Sequence, residues 1–173
     1  MNTLSRFNNI TTFIFDVDGV LTDGTVIVLE DGLQARRMNI KDGFALQLAI
    51  KLGYRVVIVS GSSPSPVVDR LKKLGITEIH MSMLNKRAFI ATYIEMNKLR
   101  QDEVLYMGDD LPDLPAMPVV GLATCPADAA IDIREAVHYV SPFEGGRGCA
   151  RDVIEKVLRL KEQWSYHPDV PSQ

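Results

Sequence analysis

The sequence predicts an α/β fold, a three-layer Rossmann-like parallel sheet with helices on both faces. Two observations carry this. Short β-branched and aromatic runs alternate with helix-periodic segments from one end of the chain to the other, as repeated strand–helix–strand units require. One run, Val56-Val57-Ile58-Val59, is unbroken by polar residues, which suits a strand covered on both faces.

Thr11 to Phe15 reads as a first strand that ends at an acidic loop. Thr25 to Met38 then breaks the alternation. It is rich in β-formers and has Glu30-Asp31-Gly32 at its middle; Asp-Gly between two β-like arms predicts a hairpin inserted after the first strand. Ala45, Leu48, Ala49 and Leu52 recur at helical spacing, with Asp42 as the expected N-cap and Gly53 as the stop. Tyr54 to Val59 is the next strand. Val67, Leu71 and Leu74 mark a helix, with Ser63 expected at its N-cap, Pro64 at its first position and Gly75 at its end. Further strands are expected at Glu78–Met81, Val104–Met107, Val119–Ala123 and Tyr139-Val140, and further helices from about Asn85 to Lys98 and from Ala150 to Gln163. Ser165 to Gln173, with Pro168 and Pro171, reads as an extended tail. No linker divides the chain, so residues 1–173 are expected to form a single domain without a cap domain, with the hairpin at about 25–38 and the tail at about 165–173.

A formal net charge of -3 offers no clustered basic surface, so no nucleic-acid partner is expected. No apolar run is long enough to span a bilayer, and no membrane partner is expected. Phe13-Ile14-Phe15 runs at once into Asp16 and Asp18, unlike a secretory leader, so the expected location is cytoplasmic. Cys125 and Cys149 belong to no CxxC pair and read as small buried hydrophobes.

In an open parallel sheet, ligands bind beyond the C-terminal ends of the strands. There the chain carries Asp16 and Asp18, then Ser60-Gly61, then Gly108-Asp109-Asp110 with Asp113, and Lys86 opens a helix. An aspartate at a strand end is often only a turn former, but Asp16-Val17-Asp18-Gly19 places two acids where a turn needs one. A carboxylate can attack phosphorus and split one hard displacement into two easier ones. A second carboxyl group can protonate the leaving oxygen and later deprotonate water. A hard divalent cation bridging Asp16, Asp109 and the phosphate would offset the repulsion between acids and ester, while Lys86 and Ser60 hold the remaining phosphoryl oxygens.

These residues resemble the motifs of the haloacid dehalogenase superfamily. Asp16 to Val20 matches its first motif, Ser60 its second, Lys86 its third, and Gly108-Asp109-Asp110 with Asp113 its fourth. The resemblance implies that Asp16 is the nucleophile and Asp18 the general acid/base. It implies Mg²⁺ held by Asp16, the backbone carbonyl of Asp18, and Asp109, with Asp110 or Asp113 supporting. More narrowly, Asp16 to Gly24, Asn39-Ile40-Lys41-Asp42-Gly43 and Gly145-Gly146-Arg147-Gly148 resemble the 3-deoxy-D-manno-octulosonate 8-phosphate phosphatases, cap-less enzymes acting on a phosphorylated sugar acid in lipopolysaccharide precursor synthesis. That resemblance implies a homotetramer in which a neighbour's hairpin, and often its C-terminal tail, covers each site. Where the family commonly has an arginine after Ser-Gly, this chain has Ser62, so Arg147, Lys41 or Arg70 is expected to supply the cation for substrate. The alternatives are a phosphatase for a nine-carbon sialic-type sugar acid 9-phosphate and, more remotely, a non-enzymatic phospho-receiver domain.

Overall fold

The structure, a computed structural model, describes residues 3–171. In chain order the strands are β1 (Thr12–Phe15), β2 (Ile27–Val28), β3 (Gln34–Ala35), β4 (Arg55–Val59), β5 (Glu78–His80), β6 (Val104–Met107), β7 (Leu122–Cys125) and β8 (Tyr139–Val140). The helices are α1 (Thr3–Asn9), α2 (Ile40–Lys51), α3 (Pro66–Lys73), α4 (Lys86–Met96), α5 (Ile131–Ala136) and α6 (Cys149–Leu160). Six strands make one sheet in the order β5-β4-β1-β6-β7-β8, each neighbouring pair parallel. The pleat sends alternate side chains to opposite faces. Phe13 and Phe15 join Val56, Ile58 and residues of α2, α3 and α6 on one face. Ile14 joins Val57, Val59, Tyr106 and residues of α4 and α5 on the other. The three layers expected from the alternation are therefore present. From β1 the chain runs outward to β4 and β5, then returns to β6 on the other side of β1. The strand order reverses there, and Asp16 and Gly108 leave the sheet side by side at that switch point.

The hairpin forms as the Asp-Gly signal requires. Gly32 takes φ +82° at the turn, the Leu29 N–H donates to the Leu33 carbonyl at 2.9 Å, and Ile27 faces Ala35. Its apolar side chains project outward: Val28 is 69% exposed and Leu33 62%.

Several boundaries differ from expectation. Asn39, not Asp42, caps α2, its Oδ1 accepting from the Lys41 N–H at 2.8 Å. Asp42 is buried and instead caps α6, accepting from the Gly148 N–H at 3.1 Å and the Arg151 N–H at 2.7 Å. Helix α3 starts at Pro66 behind Ser65, two residues later than Pro64 would place it. The strand expected from Val119 begins only at Leu122. Proline-rich 3₁₀ turns fill Leu111–Val119, and Gly121 passes so close to the 101–102 backbone that a Cβ there would lie 2.4 Å from Asp102 Cα. Helices α1 and α5 have no counterpart among the expected elements because each buries a single residue, Phe7 or Ile133, too few to show a period.

The tail lies on α2 of its own chain, away from the acidic loops. The Gln47 amide donates to the Pro171 carbonyl at 3.0 Å, Lys51 pairs with Asp169 at 2.7 Å, Val170 is buried, and the Trp164 ring packs edge-on against Phe44. Residues 172 and 173 of the expected tail lie outside the described residues. Truncation after Gln163 is expected to lower the thermal midpoint by roughly 2–6 °C, because apolar area is lost from a chain of this size. It should leave kcat and KM within about twofold. Altered kinetics at an unchanged midpoint would show that the tail acts at a site instead.

Candidate active site

The loop after β1 is wound tightly around one carbonyl. The N–H groups of Val20, Leu21 and Thr22 converge on the Val17 oxygen at 3.3, 3.0 and 3.0 Å, and the Thr22 hydroxyl donates to it as well. Gly19 sits at φ +82°, and a Cβ there would meet the Asp109 carboxylate at 1.9 Å. Glycine is therefore what lets the loops after β1 and β6 approach each other. Gly145 and Gly146 brace the same loop from behind: a Cβ on Gly145 would lie 2.0 Å from the Gly19 oxygen.

Between these loops is a cavity of about 410 Å³ lined by Asp16, Asp18, Ser60, Gly61, Lys86, Asp109, Asp110 and Asp113. The N-cap of α4 is Asn85, which places Lys86 at the first position of the helix, where the Lys86 ammonium is buried. It donates to Asp16 Oδ2 at 2.9 Å and to Asp113 Oδ1 at 2.5 Å. Asp113 is saturated: the Tyr106 hydroxyl also donates to Oδ1 at 2.5 Å, and the N–H groups of Asp109 and Asp110 donate to Oδ2 at 2.9 and 3.3 Å. Asp110 is exposed and caps the 3₁₀ turns through the Leu111 N–H at 2.8 Å.

The donor set suits a hard divalent cation. Carboxylate oxygens of Asp16, Asp109 and Asp113 lie within 4.8 Å of one another. Because Asp113 is saturated by four donors, the pair left to face a cation is Asp16 and Asp109. Asp16 Oδ1 is buried with no hydrogen-bond partner, an orphan that an oxygen-preferring ion would satisfy. The electrostatics agree. Burial, reinforced by Asp113 and only partly offset by Lys86, pushes Asp16 up to about 6. Burial together with Asp16, Asp113 and Asp110 pushes Asp109 up to about 7. Burial opposes the charge on Lys86, but Asp16 and Asp113 outweigh it and hold its pKa above that of an ordinary lysine.

Asp18 sits at the rim, where two partners missed at the sequence level grip it. Arg36, from the end of the hairpin, reaches Oδ1 through Nε at 2.6 Å, and the Ser62 hydroxyl donates to Oδ2 at 2.5 Å. The next residue, Arg37, pairs with Asp23 at 2.9 Å. The legible signal was the Arg36-Arg37 pair on the hairpin arm, opposite an acidic loop.

Lys41 and Arg147 are not brought to this cavity. They line a separate one of about 450 Å³ at the start of α6, where Asp42 ties the beginning of α2, and Arg147 pairs with Glu144 at 3.3 Å. Arg70 lines a groove of about 860 Å³ between the hairpin and α3, together with Arg36. Arg36, which shares the Asp18 carboxylate with Ser62, is a further cation that the sequence reading does not name.

The raised carboxyl groups set a pH dependence. A folded state that binds protons more tightly than the unfolded one loses stability as pH rises. Metal-free protein is therefore expected to lose thermal stability between about pH 4 and pH 7, as Asp16, Asp109 and the similarly raised Asp42 ionise. Added Mg²⁺ should restore more of it at the upper end of that window than at the lower. A midpoint that rises through the window, or a Mg²⁺ gain independent of pH, would contradict this electrostatic account.

Comparison with known proteins agrees with the geometry. No protein-family model matches the chain. A 3-deoxy-D-manno-octulosonate 8-phosphate phosphatase of Escherichia coli K12 is 34% identical over 155 residues, covering 90% of this chain and 82% of that protein. The crystal structure of the Yersinia pestis phosphatase of the same name superposes with a TM-score of 0.89 at 32% identity, covering 93% of this chain and 87% of that one. A Moraxella catarrhalis phosphatase of that name, solved with magnesium, phosphate and KDO, superposes with a TM-score of 0.87 at 29% identity, covering 91% and 90%. A chain that shares this sequence and fold almost end to end with named phosphatases is an enzyme and not a receiver domain: it belongs to the 3-deoxy-D-manno-octulosonate 8-phosphate phosphatase family of haloacid dehalogenase-like hydrolases.

Proposed function

We propose that the enzyme hydrolyses 3-deoxy-D-manno-octulosonate 8-phosphate to the free sugar acid and inorganic phosphate, in synthesis of a lipopolysaccharide precursor. The observation that carries this is Asp16 itself: a buried carboxylate with one oxygen held by Lys86 and the other unpartnered, lining a cavity with Asp109. The substrate assignment draws on the named phosphatases that the chain resembles along most of its length.

In this reading Asp16 attacks phosphorus while the bond to the sugar oxygen breaks, and Asp18 gives that oxygen a proton. Water then attacks the aspartyl phosphate, Asp18 takes a proton from that water, and the bond from phosphorus to Asp16 breaks as phosphate is released. Lys86 neutralises charge on the phosphoryl oxygens, since two of its three hydrogens are engaged by Asp16 and Asp113 and the third remains for the ligand. Ser60, buried at the end of β4, and Gly61 offer the opposite wall. Asp16, Asp109 and the backbone carbonyl of Asp18 would hold Mg²⁺, which supplies charge neutralisation for two anions meeting in a low-dielectric site. Arg36 and Ser62 hold Asp18 at the cavity rim, and the carboxyl carries its proton when Arg36 is drawn away from it. The exposed apolar hairpin fits a homotetramer in which neighbours cover the site, and the two free, buried cysteines fit a cytoplasmic location.

Asp16→Asn should abolish phosphate release with the fold intact by circular dichroism; substantial remaining turnover would sink the nucleophile assignment. Asp18→Asn should slow release of phosphate from the sugar ester by ~10²–10⁴-fold. Chelation of Mg²⁺ should silence the wild type reversibly. A screen of sugar phosphates in which another ester clearly outpaces the octulosonate ester would overturn the substrate.

A further inference from the structure

Strand β6 is Val104-Leu105-Tyr106-Met107, and Tyr106 alone of these carries a polar side-chain group. Its ring is fully buried on the sheet face that carries α4, where a phenylalanine would fill nearly the same volume. The hydroxyl ends at Asp113 Oδ1, the oxygen that also receives Lys86 Nζ, both at 2.5 Å. Asp113 Oδ2 meanwhile receives the N–H groups of Asp109 and Asp110. A single carboxylate thus ties the ammonium at Asp16 to the loop that carries Asp109, and the phenol holds that carboxylate from below.

We propose that Tyr106 is a positioning residue for phosphoryl transfer: by donating to Asp113 it sets where Lys86 stands between Asp113 and Asp16. Asp113 and Asp16 compete for one ammonium, at 2.5 and 2.9 Å. With the phenolic hydrogen bond in place, part of the Asp113 charge is already answered. Without it, Asp113 draws Lys86 harder, and the ammonium moves off Asp16 and off the incoming phosphoryl oxygens. Charge stabilisation of this kind depends on donors fixed before the reaction, so the loss falls on the chemical step more than on ground-state binding.

The inference rests on the reading of Lys86 as the phosphoryl-facing cation, and the test separates the two. Full-length protein with Mg²⁺ is assayed on p-nitrophenyl phosphate, so the outcome does not depend on which sugar is the natural substrate. Tyr106→Phe should lower kcat by roughly tenfold, the size expected for one hydrogen bond to a charged group, with KM within about twofold. Thr124→Val is the control. The Thr124 hydroxyl, also buried, donates to the Tyr106 carbonyl at 3.0 Å, so its loss perturbs the same strand without touching Asp113. That variant should lose thermal stability and keep its kcat. Wild-type kcat in Tyr106→Phe, or an equal loss of kcat in Thr124→Val, overturns the proposal. Lys86→Ala is run alongside: if it retains the wild-type rate, the reading of Lys86 falls and this inference with it. If it is crippled while Tyr106→Phe is not, only the role of Tyr106 falls.

Discussion

Everything at this site depends on one buried ammonium shared between two buried carboxylates. Removing a carboxylate from water is unfavourable unless a charge or several donors meet it. Asp113 meets that requirement four times over, through Lys86, Tyr106 and two backbone N–H groups. Asp16 meets it only on one oxygen. The asymmetry fits the proposed roles, Asp113 as the acid that supports and Asp16 as the acid that reacts. It also explains why the site spans three elements: β1 brings Asp16, β6 leads to Asp113 and α4 brings Lys86, so the network exists only when the sheet and its second helical layer are assembled.

The same asymmetry makes proton and cation competitors at the loop. Asp16 and Asp109, raised to about 6 and about 7, stand on loops that approach closely, since a Cβ on Gly19 would run into Asp109 and one on Gly145 into the Gly19 carbonyl. Such a pair is uncomfortable as two bare anions. A divalent ion relieves it and, in the same act, admits a phosphate ester that bare acids would repel.

The fold class was readable because it rests on patterns that physics makes redundant. Val56 to Val59 is apolar because both faces are covered, and the Asp31-Gly32 turn needs a positive φ that glycine supplies. Asp16, Asp18, Ser60, Lys86, Asp109 and Asp113 were legible for a similar reason: each stands at a strand end or helix start, where backbone geometry aims side chains at one place. What escaped depended on tertiary contact. Nothing local in Asp42 distinguishes a cap for its own helix from a cap for α6, and nothing in Tyr106 distinguishes a packed ring from a donor to Asp113. Arg36 reaches Asp18 across 18 positions of chain, and Lys41 and Arg147 fell elsewhere, because cation placement at a rim is decided by how a hairpin folds back.

The hairpin has a consequence for how such an enzyme can change over evolutionary time. Its side chains are largely exposed within the chain, so substitutions there leave the chain's own core intact. Yet one of its residues, Arg36, closes directly on Asp18 at the cavity rim. The rim can therefore change through a segment that the core barely constrains, while the buried ammonium and its two acids are fixed by the packed sheet and its helices. The buried network and the exposed rim thus lie in different mechanical compartments of one molecule.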